Sequence, residues 1–259
     1  MENIIKSKDN PVIKLYQRLS SSKKERLEYG LFVLEGMRIV EDAVREHTDI
    51  RYLIFTESAS AKEDQFQVDL RNTKVVVISN ELGNRIASTE KTQGIFAVCA
   101  IPGRSSMKLS ENGKYVVLYG LQDPGNVGMI IRTADAFGAD GIILSGSCDL
   151  YSPKVIRSTM GSVFRTNILI ENDTEKLFGL LSQGGIHTSA AVIDSDAQNI
   201  RECSFEGGHA VFIGNEGNGL PHDIAMRCDR RVIIPMKSSI NSLNAAMAAG
   251  IIMWELCGR

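Results

Sequence analysis

Polar side chains crowd into the turn before the last predicted helix of this 259-residue chain. The turn contains three serines and two asparagines, namely Ser238, Ser239, Asn241, Ser242 and Asn244. The helix that follows has no charged side chain until Glu255, and a helix that is apolar on every side is expected to be buried on every side. Because polar groups beside a buried helix are costly unless they form hydrogen bonds, we expect Ser242 and Asn244 to bind a ligand. The alternative is that Ser242 only caps the helix.

A second candidate is the glycine-rich loop at residues 214–221, which places Glu216 among three glycines and two asparagines. The glycines predict a tight turn whose exposed backbone groups can hold a ligand. Glu216 could pair with Arg132 or contact a substrate. The alternative is a surface carboxylate in a flexible loop.

A third candidate follows the apolar segment that ends at Tyr119. Gly125 and Gly128 allow close backbone approach, and Asn126 is placed to cap a helix predicted at residues 127–137. Arg132 falls outside the apolar stripe of that helix, so it is free to face a ligand, a partner chain or water, and we expect it at a site. A dinucleotide site is not favoured, because this turn lacks the Gly-x-Gly-x-x-Gly pattern.

The elements that must position these loops are strands and helices in alternation. The first hundred residues predict a small α/β domain, with helices at residues 36–45, 61–70 and 80–87 among its strands. A stretch rich in turn formers separates the halves, so we expect a domain at 1–101, a linker at 102–113 and a second domain at 114–259. The second half predicts a doubly wound, mostly parallel sheet, in which sites lie at the carboxyl ends of the strands. The three loops should therefore meet at one edge.

The composition excludes several classes of protein. The five cysteines lie far apart with no Cys-x-x-Cys, which argues against a zinc site and against a disulfide framework, and we expect no metal. The first nine residues have no apolar segment typical of a secretory signal, and no segment is long enough to span a membrane. We expect a cytoplasmic protein. The net charge of −2 does not indicate a protein that binds nucleic acid over its whole surface, so any surface that binds nucleic acid must be local.

Together the three loops resemble the three motifs of the SpoU/TrmH branch of the SPOUT RNA methyltransferases. Residues 122–134 (Gln-Asp-Pro-Gly-Asn-Val-Gly-Met-Ile-Ile-Arg-Thr-Ala) match the first motif, 213–220 the second and 234–244 the third, in the same order and at similar spacing. The resemblance covers residues 114–259. Less specifically, the first hundred residues resemble the substrate-binding domain of many members, best at Phe32-Val-Leu-Glu-Gly.

The resemblance implies S-adenosylmethionine as methyl donor, ribose 2′-O methylation of RNA, a trefoil-knotted sheet and an obligate homodimer. The donor pocket should be lined by Gly214, Ile234, Met236 and Leu243. The matched active-site positions are Asn126, Arg132, Glu216, Ser242 and Asn244. Ser238 departs from the pattern, since many relatives have glycine there.

The resemblance also changes the interpretation of a basic amino-terminal helix that begins near Pro11. Its cations are Lys14, Arg18, Lys23 and Lys24. They form either a solvated helix face or, as the family favours, a surface that binds RNA phosphates. Ribosomal RNA, most specifically 23S RNA, is the expected substrate. The alternatives are transfer RNA and a non-catalytic RNA-binding protein that retains the fold.

Overall fold

The computed structural model describes residues 4–66, 73–103, 107–237 and 242–258. It divides into two compact units: residues up to Gly103 together with Asp149–Phe164 form the first, and the remainder forms the second. No pattern in the sequence marks the stretch Asp149–Phe164 as part of the first unit.

The first unit is built around a four-stranded sheet of order β1-β4-β2-β3, with β4 antiparallel to β1 and β2, and with β2 parallel to β3. Its elements are α1 (Pro11–Ser21), α2 (Lys23–Tyr29), β1 (Leu31–Glu35), α3 (Met37–Arg45), β2 (Ile50–Thr56), β3 (Lys74–Ile78), α4 (Asn80–Ile86) and β4 (Ile95–Ala100). The helix predicted at 61–70 is a 3₁₀ helix, Ser60–Gln65, and residues 67–70 lie outside the described part.

The basic amino-terminal stretch forms two helices, not the single helix predicted. Pro11 opens α1, and the side chain of Asn10 caps it by accepting a hydrogen bond from the backbone N of Val12 at 2.9 Å. Ser22 has an extended backbone that ends α1, and its Oγ accepts from the backbone N of Glu25 at 3.3 Å to start α2. Serine is more favourable at the start of a helix than in its interior, and this preference explains the break at Ser22.

The second unit contains a seven-stranded sheet of order β7-β6-β5-β10-β8-β11-β9 in which every neighbouring pair is parallel. In chain order the elements are β5 (Lys114–Tyr119), α5 (Pro124–Phe137), β6 (Gly141–Ser145), α6 (Pro153–Ser158, within the first unit), β7 (Ile168–Ile170), α7 (Thr174–Gln183), β8 (His187–Ala191), β9 (Gln198–Asn199), β10 (His209–Ile213), α8 (His222–Arg227), β11 (Arg230–Ile233) and α9 (Ala245–Cys257). The predicted α/β class with a parallel sheet is confirmed. The short elements β9 and α8 were not predicted.

Four loops meet at the carboxyl edge of this sheet, because β5, β10, β8 and β11 are consecutive neighbours and point the same way. The three predicted loops follow β5, β10 and β11. A fourth loop, residues 192–197, follows β8 and lies between the second and third. The sheet thus gathers the candidate residues as expected and adds a segment that the sequence did not single out.

The last helix packs beside α5, and the two helices run parallel. Their first turns are joined by a hydrogen bond between Asn126 and Asn244, and near their ends the rings of Phe137 and Trp254 lie 5.7 Å apart. Small residues, among them the fully buried Ala249, allow this close approach. The prediction that α9 is buried on all sides is wrong, since Met247 and Trp254 are 59% and 61% exposed. Within the described part of the chain, no helix has both the length and the apolar character needed to cross a membrane.

Candidate active site

Asn244, Asn126 and Glu216 come from three different loops and form one chain of hydrogen bonds. Nδ2 of Asn244 donates to Oδ1 of Asn126 at 3.0 Å, and Nδ2 of Asn126 donates to Oε1 of Glu216 at 3.2 Å. The contact between the first and third loops therefore runs through Asn126. The structure brings together three of the five predicted active-site residues in this way.

The helix caps differ from the predicted ones. Asp123 caps α5, since its Oδ1 accepts from the backbone N of Asn126 at 2.9 Å, so Asn126 lies inside the first turn and is 9% exposed. Asn244 caps α9, with Oδ1 accepting from the backbone N of Ala246 and of Met247 at 2.9 and 3.2 Å. Ser242 does not cap the helix, and it is exposed. Its hydroxyl is left for another role.

Glu216 fastens the second loop to the first. Its carboxylate accepts from the backbone N of Gln122 at 3.1 Å and of Asp123 at 3.0 Å, besides the amide of Asn126. Burial by itself raises the pKa of Glu216, but these hydrogen bonds together outweigh burial and the pKa lies below its usual value. Glu216 is therefore an ionised, fully engaged carboxylate. The suggested pairing with Arg132 is not formed.

The second loop is the tight turn that its glycines predicted. A Cβ atom at position 214 would lie 2.1 Å from the backbone N of Leu220, so only glycine lets the loop fold back on itself there. Asn215 and Gly219 exchange two backbone hydrogen bonds of 3.0 and 2.9 Å. The Asn215 side chain accepts from the backbone N of Gly217 at 2.9 Å. The loop is thus rigid and presents Glu216 from a fixed backbone.

A cavity of about 600 Å³ lies between the second and third loops and the start of α9. All four residues that the resemblance assigns to the donor line it: Gly214, Ile234, Met236 and Leu243. Glu216 and Ser242 line it as well. Ser238, where the chain departs from its relatives, lies outside the described residues, as do Ser239 and Asn241.

Arg132 stands apart from this network. It is exposed on α5, it does not line the cavity, and it forms no hydrogen bond or ion pair with any described residue. Its guanidinium is therefore free to bind an anion, which is the property expected of a residue that meets RNA.

Several cavity residues escaped the sequence analysis, and two of them, Asp194 and Arg231, carry opposite charges. Asp194 lies in the fourth loop and accepts a hydrogen bond from Nη1 of Arg231, which projects from β11. The position of β8 in the sheet would have indicated them. A loop that follows a parallel strand lying between β10 and β11 must reach the same edge as the second and third loops. Sequence alone does not give that strand order.

The His, Cys, Asp and Glu side chains of the described residues are dispersed. Over residues 4–66, 73–103, 107–237 and 242–258, no group of three or more His, Cys, Asp or Glu side chains could hold a metal ion. No disulfide joins the five cysteines, all of which lie within these ranges, and burial raises the pKa of Cys228 to about 12.

In the first unit the four predicted RNA-binding cations are all exposed, on α1 and α2. Lys14 forms an ion pair with Asp9 at 2.8 Å. Arg18, Lys23 and Lys24 form none with the described residues. The charge open to an anion is therefore concentrated on either side of the break at Ser22.

Comparison with known proteins matches residues 113–254 to the SpoU rRNA Methylase family and residues 10–97 to the MRM3-like substrate binding domain. The 23S rRNA (guanosine(2553)-2′-O)-methyltransferase RlmP of Bacillus subtilis (strain 168) is 30% identical over 98% of this chain and 99% of its own. A 23S rRNA (uridine(2479)-2′-O)-methyltransferase of Streptomyces viridochromogenes is 28% identical over 93% of this chain and 87% of its own. The crystal structure of an AdoMet-bound rRNA methyltransferase from Sinorhizobium meliloti superposes with a TM-score of 0.88 at 30% identity, covering 98% of this chain and 97% of that one.

Proposed function

Because the chain belongs to the SpoU rRNA methylase family, we propose that it transfers a methyl group from S-adenosylmethionine to a ribose 2′-hydroxyl of 23S ribosomal RNA. The observation that carries the proposal is the hydrogen-bonded chain of Asn244, Asn126 and Glu216 beside the cavity. Two relatives that are 30% and 28% identical to the chain are named as 23S rRNA 2′-O-methyltransferases, and they support ribosomal RNA over transfer RNA as the substrate.

The cavity fits the proposed donor. Its volume of about 600 Å³ is within the range of roughly 300–1,000 Å³ usual for small-molecule and cofactor sites. Apolar side chains such as Ile234 and Leu243 suit an adenine ring, and the turn at Gly214 exposes backbone groups that can bind its polar edge. When bound, S-adenosylmethionine supplies a methyl group activated on a positively charged sulfur.

In the transfer the ribose oxygen forms a bond to the methyl carbon, the bond from that carbon to sulfur breaks with its electron pair passing to sulfur, and the hydroxyl proton leaves. Arg132 stabilises the negative charge that develops on the ribose oxygen and binds the adjacent phosphate. It does not act as a free base, since an arginine is effectively always protonated. The proton passes to solvent water.

The asparagines have a positioning role in this scheme. Asn126 and Asn244 join the first turns of α5 and α9, and so fix the helix that carries Arg132 against the third loop. Glu216 holds the same turn from the second loop. Ser242, exposed at the cavity, is the polar group left to orient the ribose. Holding the reacting atoms in line can supply ~7–11 kcal/mol of the barrier.

The proposal includes an obligate homodimer, formed through the exposed apolar residues of α5 and α9. Met129 lies one turn after Asn126, Met247 one turn after Asn244, and Trp254 seven residues further along the same face of α9. These three side chains are 55–61% exposed. Covering them with a second copy would remove a large apolar surface from water. The proposal also places the enzyme in the cytoplasm with its RNA.

Kinetics of Arg132→Ala and Arg132→Lys test the function. We expect kcat for methyl transfer from labelled S-adenosylmethionine to 23S RNA to fall by about 10²–10³, with donor affinity unchanged. Arg227→Lys is the matched control, because Arg227 is exposed on α8 and paired with Glu175. Near-normal turnover in Arg132→Ala would show that the assigned role is wrong.

The second candidate function is an RNA-binding protein without transfer activity. Calorimetry with S-adenosylhomocysteine separates the two, since an enzyme binds this product and a protein that has lost transfer need not. A wild-type chain that binds RNA but neither binds the product nor transfers methyl groups would establish the second candidate.

A further inference from the structure

The cavity extends beyond the residues used in the proposed mechanism. The fourth loop contributes Asp194 to its lining and β11 contributes Arg231, and the two form an ion pair. Their side chains are about one third exposed, at 34% and 31%. The pair is therefore desolvated in part but open to a ligand in the cavity.

Asp194 retains hydrogen-bonding capacity that the other cavity carboxylate lacks. One oxygen of Asp194 accepts from Arg231 and the other from the backbone N of Asp196 at 3.0 Å. A carboxylate has about four acceptor positions, so two remain. Glu216 accepts from Gln122, Asp123, Asn126 and, at 3.4 Å, Asn215, which takes up its capacity. Asp194 is thus the acidic group in the cavity that can accept from a ligand.

The charges of Asp194 and Arg231 indicate which kind of hydrogen-bond donor the carboxylate can accept from. A cationic group, such as the amino end of the methyl donor, would compete with Arg231 for the carboxylate and be repelled by the guanidinium. Neutral hydroxyls can donate hydrogen bonds to the two remaining acceptor positions of Asp194 while Arg231 stays in place. Two neighbouring hydroxyls suit one carboxylate, as acidic residues in dinucleotide sites illustrate with ribose.

We propose that Asp194 binds the ribose 2′,3′-diol of the methyl donor, and that Arg231 is the positioning residue that holds the carboxylate in the cavity wall. The inference rests on the proposed function, because it assigns the cavity to that donor. It adds a polar recognition element to a pocket whose other assigned contacts are apolar side chains and backbone.

The test measures binding by calorimetry with three ligands. S-adenosylhomocysteine carries the diol and the amino-acid end, 5′-methylthioadenosine carries the diol alone, and 2′-deoxy-5′-methylthioadenosine lacks one hydroxyl. In the wild type we expect the deoxy ligand to bind about tenfold more weakly than its parent. In Asp194→Asn we expect S-adenosylhomocysteine and 5′-methylthioadenosine each to bind about tenfold more weakly than to the wild type. The deoxy ligand should bind this variant almost as well as 5′-methylthioadenosine does, because the contact to its missing hydroxyl is already lost.

Asp196→Asn is the matched control, because it removes the same charge from the same loop at a side chain that does not line the cavity. It should bind all three ligands as the wild type does. Weakening confined to S-adenosylhomocysteine would assign Asp194 to the amino end and overturn the proposal. Equal wild-type affinity for the deoxy ligand and its parent would overturn it without any variant, even if Asp194→Asn failed to fold. A wild type that binds none of the ligands would refute the proposed donor, and this inference with it. Normal binding of S-adenosylhomocysteine by Asp194→Asn would refute this inference alone.

Discussion

His209 is a buried histidine at the opposite end of the sheet from the cavity, at the first residue of β10. It is 6% exposed, and Nη2 of Arg230 lies 3.1 Å from its Nε2. Burial lowers the pKa of His209 to about 4, and the charges of Arg230 and Lys114 act in the same direction. His209 is therefore neutral in the folded protein, and protonating it opposes folding.

Stability should consequently fall as the pH drops from about 6.5 towards 4. In that window an unfolded histidine binds a proton that folded His209 does not, so the unfolded state gains. The effect amounts to at most about 2 kcal/mol between pH 7 and pH 5. Urea unfolding at the two pH values should show this loss in the wild type and a smaller one in His209→Gln. His47→Asn, at an exposed histidine with positive φ, should keep the wild-type loss, and equal losses in all three proteins would contradict the account.

The sequence predicted which of the candidate site residues lie close together better than it predicted what each of them contacts. Asn126, Glu216 and Asn244 were selected for their type and their loops, and they form a network. Their partners could not be predicted, because Asp123 and Asn126 are equally good caps and only the conformation of the turn decides between them. Glu216 likewise bonds backbone groups some ninety positions away, which no local pattern contains.

Helices α1 and α2 carry the proposed RNA-binding charge. Replacing Lys14, Arg18, Lys23 and Lys24 together by Gln should weaken RNA binding and reduce its dependence on salt, since each lost phosphate contact removes about 0.7–0.9 from the slope. Lys14→Gln alone should change RNA affinity little, because Lys14 already forms an ion pair with Asp9. Titrations of 23S RNA fragments at several salt concentrations measure both quantities.

The control for that experiment is a second quadruple variant of the same charge change in the first unit. It replaces four exposed cations outside α1 and α2: Arg51, Lys62, Lys74 and Arg85. If both quadruple variants lose the same affinity and slope, α1 and α2 are only a solvated face and the net charge alone is responsible.

Helices α5 and α9 should carry the homodimer contact. Met247→Glu places a charge in the proposed contact, and we expect light scattering to show a monomer at concentrations where the wild type is a dimer. Met226→Glu, at a methionine of α8 that is 58% exposed, is the control and should stay dimeric. A wild type that is monomeric at every concentration, or a dimeric Met247→Glu, would contradict this contact.

The apolar elements were predicted from their patterns, whereas two short elements, β9 and α8, were not. The strands and α5 have enough residues to show periodicity, whereas β9 has two residues and α8 has six. The apolar character of α9 predicted full burial, but apolar side chains that face a partner chain look the same in a sequence as those that face a core. The exposure of Trp254 shows only that this side chain lies outside the core of its own chain.

For the chain as a whole, the α/β class and the parallel sheet followed from buried strands alternating with helices. The strand order did not, because β10 enters between β5 and β8 and pairs residues about a hundred positions apart. Such contacts depend on packing across the whole chain. For the same reason the trefoil knot implied by the family stays a prediction.

The most direct test of the central claim maps ribose 2′-O-methylation across all cellular RNA, with and without the gene. We predict that one mark in 23S RNA disappears with the gene and returns with the wild-type protein but not with Arg132→Ala. A map without any lost mark, in cells shown to express the protein, would contradict ribose methylation. A lost mark that Arg132→Ala restores in full would keep the reaction and contradict the assigned site.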